Sequence, residues 1–255
     1  MKKIIIVGHS HTNCLYTELL NSYKDKYLTQ RVHILEVVNN MNKLKETERG
    51  SLSDNVVESI HKTVKILPVR KNFFSSNANI NIILLLGGGF YHMLGLMKSD
   101  PPFDFIHPQF PNLDLDSDAE IIPFNAIKEI LVQDIHEQEK VIKSIKDNFS
   151  FNIFHLGFPP TVFNEALMMS NIEPFFVKKY EKPELAHYNL RFKLWRLYSD
   201  MFQSICSKHG IPFLEVPKVM VENGMFLKEE AYGDSMHANQ LYAKHYIDLF
   251  DSRLV

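Results

Sequence analysis

Three side chains near the two ends of the sequence have the types that nucleophilic acyl chemistry requires: Ser10, Asp234 and His237. A serine hydroxyl is a weak nucleophile, so it needs a base within hydrogen-bonding distance to take its proton. A histidine can act as that base, and a carboxylate can orient the imidazole and stabilise its protonated form. Asp234 precedes His237 by three residues, so both can lie on one turn. We therefore expect Ser10 as the nucleophile, His237 as the base and Asp234 as the residue that orients the base.

Each of these residues also has a purely structural interpretation. A serine at the start of a helix commonly caps that helix, and an Asp-x-x-His sequence in a loop commonly serves only the loop. Position along the chain favours the chemical interpretation. Ser10 follows the first apolar run, the Asp234 and His237 pair precedes the last helical pattern, and the glycines 87–89 follow a middle apolar run. A helix that begins just after Ser10 would also favour negative charge beside the hydroxyl.

Short apolar runs alternate with helical patterns along the whole chain. Strands are predicted over residues 4–7, 32–38, 81–86, 151–156 and 211–216, and helices over 12–27, 125–145, 188–208 and 238–250. Strands that are apolar on both faces and alternate with helices are typical of a parallel sheet covered on both sides. The sequence therefore predicts an α/β fold: a three-layer α/β/α sandwich with a parallel sheet of about five strands. Ligands bind such sheets beyond the carboxyl ends of the strands, which is where Ser10 and His237 are expected.

Two segments depart from this alternation. Residues 99–123 contain five prolines and five aspartates, and residues 171–187 contain Pro174, Pro183 and several aromatic side chains. Long segments without a regular pattern are usually functional loops. We expect residues 1–255 to form a single domain with these two segments as loop insertions, the second of them a candidate lid.

The arrangement resembles the SGNH (GDSL-like) hydrolase family. Gly8-His9-Ser10 lies where that family has Gly-Asp-Ser, and residues 234–237 match its terminal Asp-x-x-His. Residues 85–89 lie where the family carries a Gly-x-Asn block, and residues 151–160 look like its fourth strand with a proline-rich exit. The resemblance implies a flavodoxin-like fold of the SGNH type and a serine esterase or acyl hydrolase that needs no metal and no organic cofactor. It also implies a small-molecule or carbohydrate ester as substrate, for example an O-acetylated sugar.

The sequence departs from the family pattern where the family supplies oxyanion donors. His9 replaces the acidic residue, Gly89 lies nearest the place of the expected asparagine, and Asn39-Asn40 occupies the region of a further glycine block. Backbone groups of Gly88 or Gly89, the residues Asn39 and Asn40, or the His92 side chain are the candidate replacements, and His9 is expected to shape the pocket. Two alternatives stay open: an O-acyltransferase with the same triad, and a catalytically silent binding module of a glycan pathway.

Two other families share parts of these motifs. Gly-His-Ser-His-Thr over residues 8–12 is similar to the nucleophile elbow of α/β-hydrolases, but Thr12 replaces the last glycine and only one strand precedes the serine. Gly-His-Ser-His is also similar to the closing motif of metallophosphoesterases, whose opening Asp-x-His pair is not found near the first strand. We therefore predict no metal site.

Composition limits the class of partner. The chain has 255 residues, 45% of them hydrophobic, with 28 basic and 30 acidic side chains and a net charge of −2. Without a basic excess, sequence-independent binding to nucleic acid is not expected. No run approaches the roughly 20 apolar residues of a membrane span. The two cysteines, Cys14 and Cys206, are expected as free thiols. Free thiols and the absence of a long apolar run predict a cytoplasmic location, whereas the sequence does not indicate the oligomeric state.

Overall fold

The computed structural model describes residues 2–45, 49–66, 80–87, 89–180 and 182–252. The strands are β1 (Lys2–Gly8), β2 (Tyr27–His33), β3 (Ile80–Leu85), β4 (Phe103–Asp104), β5 (Glu120–Ile121), β6 (Asn152–Leu156), β7 (Phe213–Leu214), β8 (Val221–Glu222) and β9 (Phe226–Leu227). The helices are α1 (Thr12–Ser22), α2 (Ile34–Lys43), α3 (Leu52–Ile66), α4 (Phe90–Gly95), α5 (Phe124–Asn148), α6 (Glu165–Ser170), α7 (Pro174–Lys179), α8 (Tyr188–Lys208) and α9 (Gln240–Asp251). Two short 3₁₀ helices span Lys218–Met220 and Glu229–Ala231.

The main sheet has five parallel strands in the order β2-β1-β3-β6-β7. This is the flavodoxin-like order, in which the chain adds strands first to one side of β1 and then to the other. Helices cover both faces, so the predicted three-layer α/β/α sandwich with about five parallel strands is confirmed. Two small two-stranded sheets, β4-β5 and β8-β9, lie outside the main sheet.

Alternation of side chains along the strands divides the core into two apolar clusters. On β1, Ile5 and Val7 pack on the face covered by α2, α3, α5 and α8, whereas Ile4 and Ile6 pack on the face covered by α1 and α9. All four side chains are fully buried. A strand that is apolar on both faces is stable only between two layers of helices, which is why the hydrophobic runs predicted this architecture.

The register brings the ends of β1 and β3 to the same level. Gly8, the last residue of β1, pairs with His33 of β2 on one side and with Leu85 of β3 on the other. The order of the strands reverses between β1 and β3, and this switch point is where open α/β sheets form their ligand-binding crevice. The segments that follow β1 and β3 therefore meet at one crevice.

The structure corrects some predicted boundaries. The strand predicted over 32–38 is wrong beyond His33, because α2 begins at Ile34 and turns Ile34 and Val37 toward the core at helical spacing. The helix predicted over 12–27 ends at Ser22, and Tyr27 already begins β2. Helix α3 was not predicted. Its apolar residues Val56, Val57 and Ile60 are buried, but polar residues surround them in the sequence.

The two predicted insertions contain short elements. Residues 99–123 carry β4 and β5, and a buried ion pair between Asp104 and Lys193 of α8 ties this segment to the core. Asp104 also accepts hydrogen bonds from the backbone N–H groups of Phe105 and Asp116. Residues 171–187 carry α7 and, apart from residue 181, are described. In the segment 99–123, the ion pair of Asp104 and the hydrogen bonds to its carboxylate hold an otherwise irregular loop in place.

In the part of the chain that the structure describes, no helix combines the length and the apolar character of a membrane span. Cys14 and Cys206 are free thiols, as expected from their separation in the sequence.

Candidate active site

Ser10 lies in a tight turn between β1 and α1. Gly8 allows this turn because a Cβ atom at that position would lie 2.2 Å from the carbonyl oxygen of Leu85 on β3. After the glycine, the carbonyl of His9 accepts hydrogen bonds from the backbone N–H and the hydroxyl of Thr12, at 3.0 and 2.6 Å. The carbonyl of Ser10 accepts from the N–H of Asn13 at 2.9 Å. The serine hydroxyl is therefore held in the turn that immediately precedes α1, at the carboxyl edge of the sheet.

Asp234 and His237 lie in the loop that leads into α9. Asn239 caps this helix by accepting the N–H of Leu241 at 2.9 Å, and its amide donates to the carbonyls of Glu230 and Tyr232 at 2.7 and 3.0 Å. The carbonyl of His237 accepts the N–H of Asp234 at 3.0 Å, which closes the turn between them. One asparagine thus orders the helix start and the loop before it.

The loop and the turn bring together residues that lie 227 positions apart in the sequence. Nε2 of His237 lies 2.7 Å from Oγ of Ser10. On the other side of the ring, Nδ1 lies 2.8 Å from Oδ1 and 2.9 Å from Oδ2 of Asp234. In this arrangement Nδ1–H donates to the carboxylate and Nε2 is free to accept the serine proton. The geometry suits transfer of a proton from an attacking hydroxyl to the imidazole.

Hydrogen bonds keep the carboxylate of Asp234 ionised. Partial burial opposes its charge, but the hydrogen bond from His237 and those from two backbone N–H groups outweigh burial and hold its pKa below the ordinary value. The backbone donors are the N–H groups of Met236 and His237, at 3.0 and 2.9 Å from Oδ1. An ionised carboxylate next to Nδ1 favours a protonated imidazole after proton transfer.

A small cavity of about 190 Å³ opens beside Ser10. It is lined by His9, Ser10, His11, Leu35, Gly87, Gly89, Phe90, Asp134, Gln138 and Met236. This volume lies below the roughly 300–1,000 Å³ that is typical of sites for drug-sized ligands. A larger cavity of about 500 Å³ lies between α5 and α8. None of the hydrogen-bonded trio of Ser10, His237 and Asp234 lines it, so the smaller cavity is the candidate substrate site.

His9, which replaces the acidic residue of the family motif, lines this cavity. Burial lowers the pKa of its imidazole, although the nearby carboxylate of Asp134 and a hydrogen bond with Gln138 act in the opposite direction. A neutral ring beside Ser10 can donate or accept a hydrogen bond without adding charge to the cavity.

Only some of the other predicted oxyanion or substrate-binding residues lie at this cavity. Gly89 lines the cavity, and Gly88 lies outside the described residues. Asn39 is exposed on α2 and is not among the lining residues of the cavity, where Leu35 of the same helix lies instead. His92 is only 2% exposed and lies behind His11, with its ring centroid 6.4 Å from that of His11. The structure therefore brings His9 and Gly89 to the site, but not Asn39 or the ring of His92.

Some site residues escaped the sequence prediction. Asp134 and Gln138 project from α5 into the cavity. These two polar residues, four positions apart, interrupt the apolar face of α5, on which Leu131, Ile135 and Val141 are buried. That interruption is the sequence signal that could have identified them as site residues. Glu173 lies with its Oε1 atom 3.8 Å from Nδ1 of His237. Nothing in the local sequence around Glu173 indicates that contact, because it depends on how the segment 171–187 folds back over the sheet edge.

Glu173, Asp234 and His237 also form a cluster whose ligand atoms lie within 4.8 Å of one another, the spacing of a metal site. The Nδ1 atom that would bind an ion is the atom that contacts both oxygens of Asp234. A cation at this point would have to displace the hydrogen bond that orients His237. The donor set therefore fits a hydrogen-bonded pair better than a metal centre.

No protein-family model and no curated protein matches the amino-acid sequence. Solved structures do match the fold. A GDSL-like lipase from Bacteroides thetaiotaomicron gives a TM-score of 0.51 at 9% sequence identity, with 99% of this chain and 87% of that chain covered. A protein from Streptococcus pneumoniae that is provisionally described as a platelet activating factor gives a TM-score of 0.51 at 12% identity, with 99% and 83% covered. The chain therefore has the fold of the GDSL-like, or SGNH, hydrolases, as its motifs predicted.

Proposed function

We propose that this protein is a serine-dependent hydrolase of small acyl esters. The observation that carries the proposal is the continuous hydrogen-bonded chain from Oγ of Ser10 through His237 to Asp234. Serine capping alone does not explain this chain, because N-cap serines bond to backbone N–H groups of their own helix. The fold supports the same function, and so does the position of these three hydrogen-bonded side chains at the switch point of the sheet.

In the first half of the reaction Ser10 becomes acylated. Its Oγ atom attacks the ester carbonyl carbon while Nε2 of His237 takes the hydroxyl proton. Asp234 accepts the hydrogen bond from Nδ1–H and stabilises the imidazolium that forms. The tetrahedral intermediate then collapses, the bond to the alkoxy oxygen breaks, and the imidazolium returns its proton to the leaving alcohol. The products of this half are the free alcohol and an ester on Ser10.

In the second half a water molecule takes the place of the alcohol. His237 removes a proton from the water, the resulting hydroxide attacks the acyl-serine, and the proton returns to Oγ as the carboxylic acid departs. If a sugar hydroxyl enters instead of water, the same steps transfer the acyl group, which is the acyltransferase alternative.

The negative oxygen of both intermediates needs hydrogen-bond donors. The backbone N–H of Ser10 is one candidate, and the backbone of Gly89, which lines the cavity, is the other candidate among the described residues. The main-chain group of Gly89 would replace the asparagine and glycine donors that the family pattern places beside the serine N–H. A single donor of this kind contributes roughly 10²–10³ in rate, so the rate depends strongly on the loop after β3.

The cavity favours a small substrate group that is polar on one side, because polar side chains share its wall with Leu35, Phe90 and Met236. Its volume of about 190 Å³ suits a short acyl chain, and Asp134, Gln138 and His9 give it hydrogen-bonding walls. Such walls suit a neighbouring hydroxyl better than a methylene chain, because unpaired buried polar groups are costly. We therefore propose an O-acetylated carbohydrate or a similar short-chain ester of a polyol as the substrate class.

A fluorophosphonate probe together with a chromogenic acetyl ester tests the proposal. The wild-type protein should be labelled and should hydrolyse the ester, and Ser10→Ala should lose both properties. Ser235→Ala, which removes a buried serine of the loop between Asp234 and His237, is the matched control and should still be labelled. Absence of labelling in the wild type between about pH 6 and 9, where a histidine base becomes neutral, would favour the silent binding module. Added sugar acceptors would then separate transfer from hydrolysis.

A further inference from the structure

We infer that Glu173 is a second acidic partner of His237, a positioning residue that acts on the imidazole from the side of the segment 171–187. The inference rests on the proposed function, since it assigns a part in the same proton transfer. It adds a residue from a different element of the chain, because Asp234 and His237 share one loop whereas Glu173 immediately precedes α7.

The geometry of Glu173 indicates a charge interaction rather than a hydrogen bond. Its Oε1 atom lies 3.8 Å from Nδ1 of His237, whereas the nearer oxygen of Asp234 lies at 2.8 Å. The side chains of Glu173 and His237 are 34% and 20% exposed, so water screens their attraction only in part. At this distance the carboxylate stabilises the protonated ring without competing for the Nδ1–H bond.

Helix capping does not account for the position of this side chain. Glu173 occupies the N-cap position of α7, yet its carboxylate makes no capping hydrogen bond to the helix. Among the residues that the structure describes, His237 is the one ion-pair partner of Glu173. The side chain therefore points away from its own helix and toward the imidazole.

Within the described part of the chain, four titratable groups surround the imidazole of His237, and the two carboxylates among them are the negative ones. Asp234 faces it from the same loop, Glu173 from the start of α7, His11 from the start of α1, and His92 from α4 behind His11. The ring centroid of His11 lies 4.9 Å from that of His237. Burial, with smaller contributions from His11 and His237, lowers the pKa of His92 well below its usual value, so that ring stays neutral. The imidazole thus faces two negative groups.

The first experiment compares pH profiles of kcat/KM for Glu173→Gln, Glu173→Asp and the wild type. A base must be neutral to act, and a negative neighbour delays its loss of a proton as pH rises. Removal of the charge in Glu173→Gln should therefore move the acidic limb of the profile to lower pH, by the small amount expected for a partly exposed ion pair. Glu173→Asp, which keeps the charge, should recover part of this shift. Glu184→Gln, an exposed glutamate of the same segment, is the matched control and should leave the profile in place.

A second experiment adds Asp234. In the Asp234→Ala background Nδ1 loses its nearest acceptor, and Glu173 becomes the remaining carboxylate beside the ring. Glu173→Gln should then lower kcat about tenfold or more, compared with roughly two- to fivefold in the wild-type background. Equal losses in both backgrounds would show that Glu173 does not share the role of Asp234, and would overturn the inference.

A third measurement does not depend on turnover. The imidazole of His237 can be titrated by NMR in the wild type, Glu173→Gln and Glu184→Gln, with its signal assigned by its loss in His237→Ala. The titration midpoint should be lower in Glu173→Gln than in the other two proteins. An unchanged midpoint would overturn the inference even if the protein is an active esterase. A lowered midpoint in a protein that the fluorophosphonate does not label would support Glu173 and defeat the proposed function.

Discussion

Both carboxylate oxygens of Asp234 lie within 2.9 Å of Nδ1 of His237, while the opposite nitrogen of the ring contacts the hydroxyl of Ser10. This arrangement gives His237 and Asp234 different roles in the proposed proton transfer. In the proposed mechanism His237 moves the proton, so His237→Ala should lower kcat by about 10⁴-fold or more. Asp234 only orients and stabilises, so Asp234→Ala should cost somewhat less, about 10³–10⁴-fold, with Glu173 still present. Steady-state hydrolysis of an acetyl ester measures both.

Neither change should unfold the protein, because both side chains are only partly buried and lie in a loop at the sheet edge. Circular dichroism and thermal melting of the variants provide the control. Esterase activity that survives in both His237→Ala and Asp234→Ala would show that neither residue takes part in the reaction, even if the fluorophosphonate labels Ser10.

The small cavity predicts a preference for short acyl groups. Hydrolysis of p-nitrophenyl acetate should exceed that of the octanoate by about tenfold or more in kcat/KM, since even one badly placed methylene costs about 1–3 kcal/mol. Phe90, at the start of α4, lines the cavity, and Phe90→Ala should narrow the difference by making room. Phe163→Ala, an exposed aromatic residue that does not line this cavity, is the control. Equal rates on both esters in the wild type would contradict the proposed short-chain specificity.

Two glycines after β3 should respond differently to the same substitution. Gly87 has a φ of +79°, and a Cβ atom there would lie 2.7 Å from the ring of Phe202 and 2.9 Å from the hydroxyl of Tyr198. Gly87→Ala should therefore lower the free energy of unfolding by about 2–4 kcal/mol, from the backbone strain and the overlap together. A Cβ atom on Gly89 would meet nothing within 4 Å, so Gly89→Ala should stay within about 0.5 kcal/mol of the wild type. Urea denaturation of both variants measures the difference, and a loss in Gly87→Ala as small as that expected for Gly89→Ala would mean that the turn adapts to the new side chain.

The order of elements, and the positions of Ser10 and His237 at the same edge of the sheet, were predictable from sequence because they depend on local signals. Apolar runs located β1, β3 and β6, and the parallel architecture then placed Ser10 and His237 at the same edge. Asn39 could not be placed correctly, since the apolar run at residues 32–38 continues from a strand into a helix without a break. The contact of Glu173 with His237 depends on the path of an irregular segment, for which sequence periodicity carries no signal.

A buried histidine away from the site should make folding stability depend on pH. His155 lies in β6 with no exposed surface, and its Nε2 accepts the backbone N–H of Leu86 at 3.3 Å. Its ring packs against Phe202 and Phe213, with centroids 5.1 and 5.5 Å away. Burial lowers its pKa to about 3, although the hydrogen bonds with the backbone act in the opposite direction. The folded protein therefore keeps this ring neutral at pH values where the unfolded chain protonates it.

The sign of the effect follows from the two states. The unfolded ring takes up its proton near pH 6.5 and the folded ring only near pH 3, so the stabilising contribution is complete above about pH 6.5 and is lost as pH falls toward 3. Between pH 7.5 and 5 this one group should lower the free energy of unfolding by about 2 kcal/mol. His155→Gln should be less stable at neutral pH because it disturbs the packing, but its stability should fall less steeply over that interval.

Urea denaturation at several pH values measures the two slopes, with His136→Gln, a replacement of an exposed histidine on α5, as the control. The slope, rather than the stability at any one pH, decides the question, because a packing defect shifts the whole curve by a constant amount whereas a missing proton changes its gradient. Parallel curves for the wild type and His155→Gln would mean that the ring is already protonated in the folded protein, which would require the hydrogen bond from Leu86 to be broken.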